Sequence, residues 1–168
     1  RGNVPGLARV ISQLLRFNSQ LFTAENNKFL LATLGVFQKL VASKQNDGFG
    51  FNLLDAIVLY MNPANFGPYM AEVFRILFTR LQSSKTAKFV EFLLYFFNVY
   101  ICKHGAAALM QQLDAVQPGI FANLLQTIWL PHITTVSDED HRRICAIGST
   151  KLMAEWTPLY AEPYVKHL

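Results

Sequence analysis

The chain is 168 residues long, enough for one ordinary domain or for about four helix pairs of ~40 to 47 residues each. Hydrophobic residues make up 52% and charged residues 15%, yet the most apolar run, Phe89 to Cys102, is only 14 residues long and carries Glu91 and Asn98, so a membrane span is not expected. The net charge of +4 is scattered, no basic run exceeds two residues, and Arg142-Arg143 follows Asp138-Glu139-Asp140, which argues against a phosphate-binding track for nucleic acid.

Asn3 with Pro5 in the next turn reads as a helix start, and Leu7, Val10, Ile11, Leu14 and Leu15 give the spacing of an amphipathic helix over about 4–17. The polar stretch Asn18 to Asn27 is a connector. A second helix follows from about Lys28 to Ser43, with Leu30, Leu31, Leu34, Phe37, Leu40 and Val41 on its buried side. Asn46-Asp47-Gly48 supplies turn chemistry, with Asp47 as N-cap of a third helix ending near Met61. Gly67-Pro68 restarts the chain for a fourth helix that ends near Ser83.

The helix over about 85–104 is the hydrophobic centre, stepping through Phe89, Leu93, Phe96, Phe97 and Tyr100, with Lys103, His104 and Gly105 at its C-terminus. A short helix over Ala106 to Val116 comes next. The following helix starts near Pro118 and is kinked or ended at Pro131. Ser137 is the N-cap expected for a helix running to Trp156, with three acidic residues at its positive end, and Pro158 and Pro163 bracket the start of one more helix. No stretch reads as a strand.

Two copies of one pattern organise this series. Val36 to Lys44 reads VFQKLVASK and Leu77 to Lys85 reads LFTRLQSSK, an offset of 41 positions carried by helical spacing. That period is the mark of HEAT or armadillo-like arrays, in which helix pairs stack into a solenoid. The expected fold is therefore all-α, an α-α superhelix of about four helix pairs, divided roughly at 1–45, 46–84, 85–137 and 138–168, the last incomplete. Interior helices of such an array are apolar nearly all round, which accounts for a mean hydropathy of +0.23. The start at Arg1 without Met, and a tail without a polar capping repeat, lead to the expectation of a piece of a longer solenoid. Neither end has the look of a targeting signal. Cys102 and Cys145, both in apolar helical contexts, are expected to be buried reduced thiols of an intracellular protein.

An array of this kind offers an extended protein-binding surface rather than a catalytic site. His141 and Cys145 stand four apart on one helix, a spacing that could place two metal ligands on a face, but no second pair completes a four-ligand zinc site. There is no phosphate-binding glycine loop, and no base and orienting group to activate a cysteine nucleophile. No enzyme activity and no cofactor or metal are expected. What remains is a basic ladder: Lys39 matches Arg80, and Lys44 matches Lys85, so stacking lines these four up as a solvated face or as a contact for an acidic protein surface.

The runs LGVFQKLVASK from Leu34 to Lys44, RLQSSKTAKF from Arg80 to Phe89, Gln117-Pro118 with Phe121, and ICAIG from Ile144 to Gly148 with Thr150-Lys151-Leu152 closely resemble the C-terminal part of the cellular apoptosis susceptibility family of nuclear exportins. The resemblance implies a share in the C-terminal arch of a karyopherin-β-type HEAT solenoid. It further implies a receptor that carries importin-α from nucleus to cytoplasm with RanGTP, shuttling between both compartments, without direct nucleic-acid contact or membrane insertion. No contact residues for importin-α or Ran transfer from it. The rival expectation is a general HEAT scaffold or adaptor.

Overall fold

The computed structural model describes residues 2–167, the side chain of His167 excepted; Arg1 and Leu168, the outermost residues of the first and fourth repeats expected above, lie outside the described residues. Every regular element among them is helical. They form two compact units, one ending at Lys85 and one beginning at Thr86. No described helix is long and apolar enough to cross a membrane.

In the first unit, α1 (Val4–Asn18) begins as its sequence demands: the Asn3 side chain accepts from the Gly6 N–H at 3.0 Å, with Pro5 in the first turn. Only Ala8 and Leu15 of α1 are buried, while Leu7, Val10, Leu14 and Phe17 are exposed. A 3-10 turn, Ser19–Thr23, leads to α2 (Ala24–Val41). Its first turn is irregular, because Glu25, Asn26 and Asn27 all take left-handed backbone conformations, with φ of 49°, 57° and 63°. Regular right-handed helix starts at Lys28, where the apolar periodicity starts.

Asp47 is the first residue of α3 (Asp47–Tyr60) and not its cap; Asn46 holds the cap position without a side-chain bond. The Asp47 side chain is buried and turned inward instead. Helix α3 packs against both α1 and α2, burying Phe51, Leu53, Leu54, Ile57 and Val58, so its apolar residues extend round most of its circumference. The next helix, α4 (Pro63–Ser83), starts earlier than Gly67-Pro68 suggests. Asn62 caps it by accepting from the Ala64 N–H at 2.9 Å, Pro63 opens the first turn, and Pro68 lies inside the helix, past the first turn, where it lacks the N–H that would bond the Ala64 carbonyl.

In the second unit, α5 (Ala87–His104) is capped by Thr86, whose hydroxyl accepts from the Phe89 N–H at 3.2 Å. Phe89, Leu93, Phe96, Phe97 and Tyr100 are all buried. Gly105 ends it at φ 89°, a conformation open to glycine, and α6 (Ala106–Val116) follows directly. A bent segment comes next: α7 (Ile120–Leu124), a π turn Leu125–Trp129, α8 (Leu130–His132) and a 3-10 turn Ile133–Thr135. Pro131 accounts for the bend, since in a regular α-helix its ring would strike the carbonyl four residues back, and the wider π turn removes that clash. Helix α9 (Glu139–Glu155) packs along α5. Asp138, not Ser137, is its N-cap, accepting from the His141 N–H at 3.0 Å.

After α9 the chain forms 3-10 turns, Thr157–Tyr160 and Val165–His167, and not the start of the further helix that Pro158 and Pro163 suggest. This tail is held by aromatic contacts: Trp156 and Tyr164 lie with ring centres 5.0 Å apart, and both contact Phe121 of α7, at 5.6 and 5.8 Å.

Candidate partner-contact surface

The four basic residues of the repeat do not form one ladder. Lys39, Lys44 and Lys85 are exposed, as an outward-facing row requires. Arg80 is 6% exposed and belongs to the core of the first unit. Its Nε donates to the Val41 carbonyl at 3.1 Å, its Nη1 donates to the Ser84 carbonyl, and its Nη2 meets Asp47 Oδ2 at 3.4 Å. One guanidinium thus binds the C-terminal end of α2, the N-terminal end of α3 and the C-terminal end of α4. The reason lies in charge: carbonyls at helix C-termini carry the negative end of the dipole and lack intrahelical partners, and a planar five-donor fork satisfies several at once. Lys39 occupies the equivalent sequence position but points to water, so matching letters here have unlike surroundings.

Beside this junction α2 and α4 leave an open groove of about 390 Å³, lined by Gln38, Ala42, Glu72, Arg75, Thr79 and Ser83 among others. Glu72 and Arg75 pair at 3.0 Å on its exposed rim. Such a pair tunes the wall's charge but adds little to stability.

In the second unit, polar groups concentrate where α9 lies on α5. Asn98, in the middle of the most apolar run, is fully buried. Its Nδ2 donates to the Leu94 carbonyl at 2.8 Å, and its Oδ1 accepts from Ser149 Oγ at 3.3 Å. Ser149 Oγ in turn accepts from Trp129 Nε1 at 3.2 Å, so α5, α9 and the π turn share one satisfied chain of bonds. One turn further, Lys151 Nζ donates to the Cys102 carbonyl at 3.3 Å.

At the other end of the same contact, Glu91 of α5 receives four bonds from the start of α9. Its Oε2 accepts from Ser137 N at 3.2 Å and Ser137 Oγ at 2.8 Å, and its Oε1 accepts from Asp138 N at 3.2 Å and lies 3.1 Å from His141 Nδ1. Burial alone would raise the Glu91 pKa, but the donors from Ser137, Asp138 and His141 outweigh it and hold the carboxyl below its ordinary value. The His141 ring also packs on Tyr95 and Phe92, with ring centres at 4.2 and 5.9 Å.

His141 is therefore engaged by Glu91 and two aromatic rings of α5. Cys145, one turn on, is buried, and burial first, then the Glu91 charge, pushes its thiol up to about 12. It is an inert thiol at neutral pH. No cluster of three or more metal-ligating side chains occurs among the described residues. Neither the Glu91 clamp nor the Asn98 chain is legible as a site from the sequence. The signal available was the presence of Glu91 and Asn98 in an otherwise apolar run, since a polar residue on a buried face demands a partner.

Comparison with known proteins places this architecture. The family model described as CAS/CSE protein, C-terminus, matches residues 1–168. Among curated relatives, the mouse protein Exportin-2 is 43% identical over 166 residues, 98% of this chain, and the human Exportin-2 is 41% identical over 165 residues. The chain spans 17% of the length of each. A solved structure described as the exportin Cse1 in its cargo-free, cytoplasmic state superposes with a TM-score of 0.88 at 29% identity, over 96% of this chain and 17% of that one. The fold is accordingly all-α and of the helical-repeat superhelix class, as the 41-residue offset suggests. On a match that runs from the first residue to the last, the chain belongs to the CAS/CSE family and corresponds to its C-terminal region.

Proposed function

We propose that this chain is part of a nuclear export receptor that carries importin-α from nucleus to cytoplasm in complex with RanGTP, shuttling between the two compartments, and that it forms a portion of the receptor's C-terminal arch. The observation that carries the reading is the family match over the whole chain, together with 43% identity to a protein named Exportin-2. The chain's role in this reading is mechanical and not catalytic. In this reading the repeats divide near 45, 84 and 137, and small rotations between repeats change curvature, so that each of two ligands favours the shape that binds the other. Lys39, Lys44 and Lys85 are the exposed basic side chains offered to an acidic partner surface; Arg80 is not among them, because it is spent inside.

The test is a pull-down of the protein carrying this chain with importin-α, with and without RanGTP. Cooperative capture supports the reading, since reciprocal coupling typically amounts to about 5- to 150-fold. Equal capture with and without the nucleotide-bound partner would remove the transport reading and leave a general helical scaffold.

A further inference from the structure

We infer that Ser137 is an acceptor for an acid-directed protein kinase, and that its phosphorylation releases the start of α9 from α5 by setting a phosphate against Glu91. The sequence around the hydroxyl is Thr134-Thr135-Val136-Ser137-Asp138-Glu139-Asp140, in which three consecutive carboxylates follow the serine. A kinase whose substrate cleft is basic binds acidic side chains placed on that side of the acceptor. All of these residues except Val136 are exposed. The backbone is already drawn out at Val136 (φ −59°, ψ 118°) and at Asp138 (φ −71°, ψ 134°), so the acceptor sits on a short extended link between two helical segments.

The step itself needs only the kinase and a nucleoside triphosphate. Ser137 Oγ attacks the γ-phosphorus, the new O–P bond forms as the bond to the bridging oxygen breaks, the hydroxyl proton passes to the kinase's base, and the nucleoside diphosphate leaves. The consequence follows from what that oxygen does beforehand. Ser137 Oγ donates to Glu91 Oε2 at 2.8 Å, one of the bonds that hold this carboxylate on the α9 terminus. Esterification removes the donor and puts a group of charge about −1.5 to −2 in its place.

A phosphate at a helix start is often stabilising, because it meets the positive end of the dipole. Here that end is occupied. Asp138 caps it, Glu139 and Asp140 fill the first turn, and Glu91 closes it from α5. The nearby cations are already engaged: Arg143 pairs with Glu139 and Asp140, Arg142 acts on the Asp138 carboxylate, and Lys88 lies over the Phe92 ring, while the His141 ring faces Glu91. A dianion added to four carboxylates repels more than half a dipole charge attracts, and Glu91 is the group closest to it.

The experiment treats the full chain with ATP and an acidophilic serine/threonine kinase, maps phosphate by mass spectrometry, and follows amide exchange. One phosphate is expected on Ser137, lost in Ser137→Ala and incorporated more slowly in Glu139→Gln/Asp140→Asn. Exchange at the start of α9 should quicken by about tenfold, the scale of one lost charge-assisted hydrogen bond. In a Glu91→Gln background, phosphorylation should quicken exchange far less, because the repelled carboxylate is gone. Absence of phosphate at Ser137 overturns the proposal, as does phosphate there with unchanged or slowed exchange.

Discussion

Arg80 and Asp47 form an ion pair in which both side chains are almost fully withdrawn from water, at 6% and 4% exposure. Removing one partner leaves an uncompensated buried charge, a change that typically costs about 3–5 kcal/mol. Arg80→Ala should therefore lower stability on that scale in urea unfolding. Arg80→Met with Asp47→Leu should recover only the part of the loss that comes from the uncompensated Asp47 charge, since the Val41 and Ser84 carbonyls stay without their Arg80 donors. Lys39→Ala, at the matching repeat position, should change stability by no more than about 0.5 kcal/mol.

Gly148 packs so tightly on Asn98 that a Cβ there would lie 2.4 Å from Asn98 Oδ1 and 2.9 Å from its Cα. The second contact is with backbone, so a rotamer change cannot relieve it. Gly148→Ala should push α9 off α5 and cost about 1–3 kcal/mol, the usual range for overpacking. The Trp129 indole, bonded through Ser149 to Asn98, should report the shift as a change in fluorescence.

Glu91 makes the second unit sensitive to acid. Its pKa is depressed in the folded state, so its contribution is present above its ordinary value near 4.5 and is lost as pH falls through the lowered one. Glu91→Gln should cost about 1–2 kcal/mol at pH 7, as expected for weakening charge-assisted bonds. The variant's stability should also fall less steeply than that of the parent as pH drops below 4.5, which acid titration of the circular dichroism signal would show.

Asp55 acts in the opposite direction. Burial holds its pKa well above 3.8, and its Oδ1 is buried without a hydrogen-bond partner. The folded state thus binds a proton that the unfolded state releases, and stability declines as pH rises from about 4 through the raised folded value. Asp55→Leu should abolish that decline and stabilise the chain at pH 7 by about 1–3 kcal/mol, the penalty of an unsatisfied buried polar group. Comparing the two variants' pH profiles separates the effects of Asp55 and Glu91.

Glu25 is the least suited of the three left-handed residues at the start of α2, since asparagine tolerates this region better than glutamate. Glu25→Gly should raise the melting temperature through a gain of up to about 1 kcal/mol. The accompanying loss of the exposed Glu25–Lys28 pair matters little.

Much of this protein was set by local rules that operate within a few residues. The helix at Asn3, the right-handed start at Lys28, the glycine end of α5 at Gly105 and the bend at Pro131 all follow from backbone chemistry and side-chain spacing, and so are readable from the chain alone. The helical-repeat class follows likewise, because periodicity and offset are properties of sequence. What only tertiary structure decided is which polar groups face inward. Arg80 and Lys39 carry the same sign at equivalent places, yet the corner formed by the ends of α2, α3 and α4 captures one and leaves the other in water. The same holds for Asp47, Ser137 and Glu91: each lies where helix logic alone would make it a cap or a surface charge, and its actual partner lies 33 or 46 residues away in the chain. Partner choice across such separations depends on where whole helices come to rest, and no window of neighbouring residues contains that information.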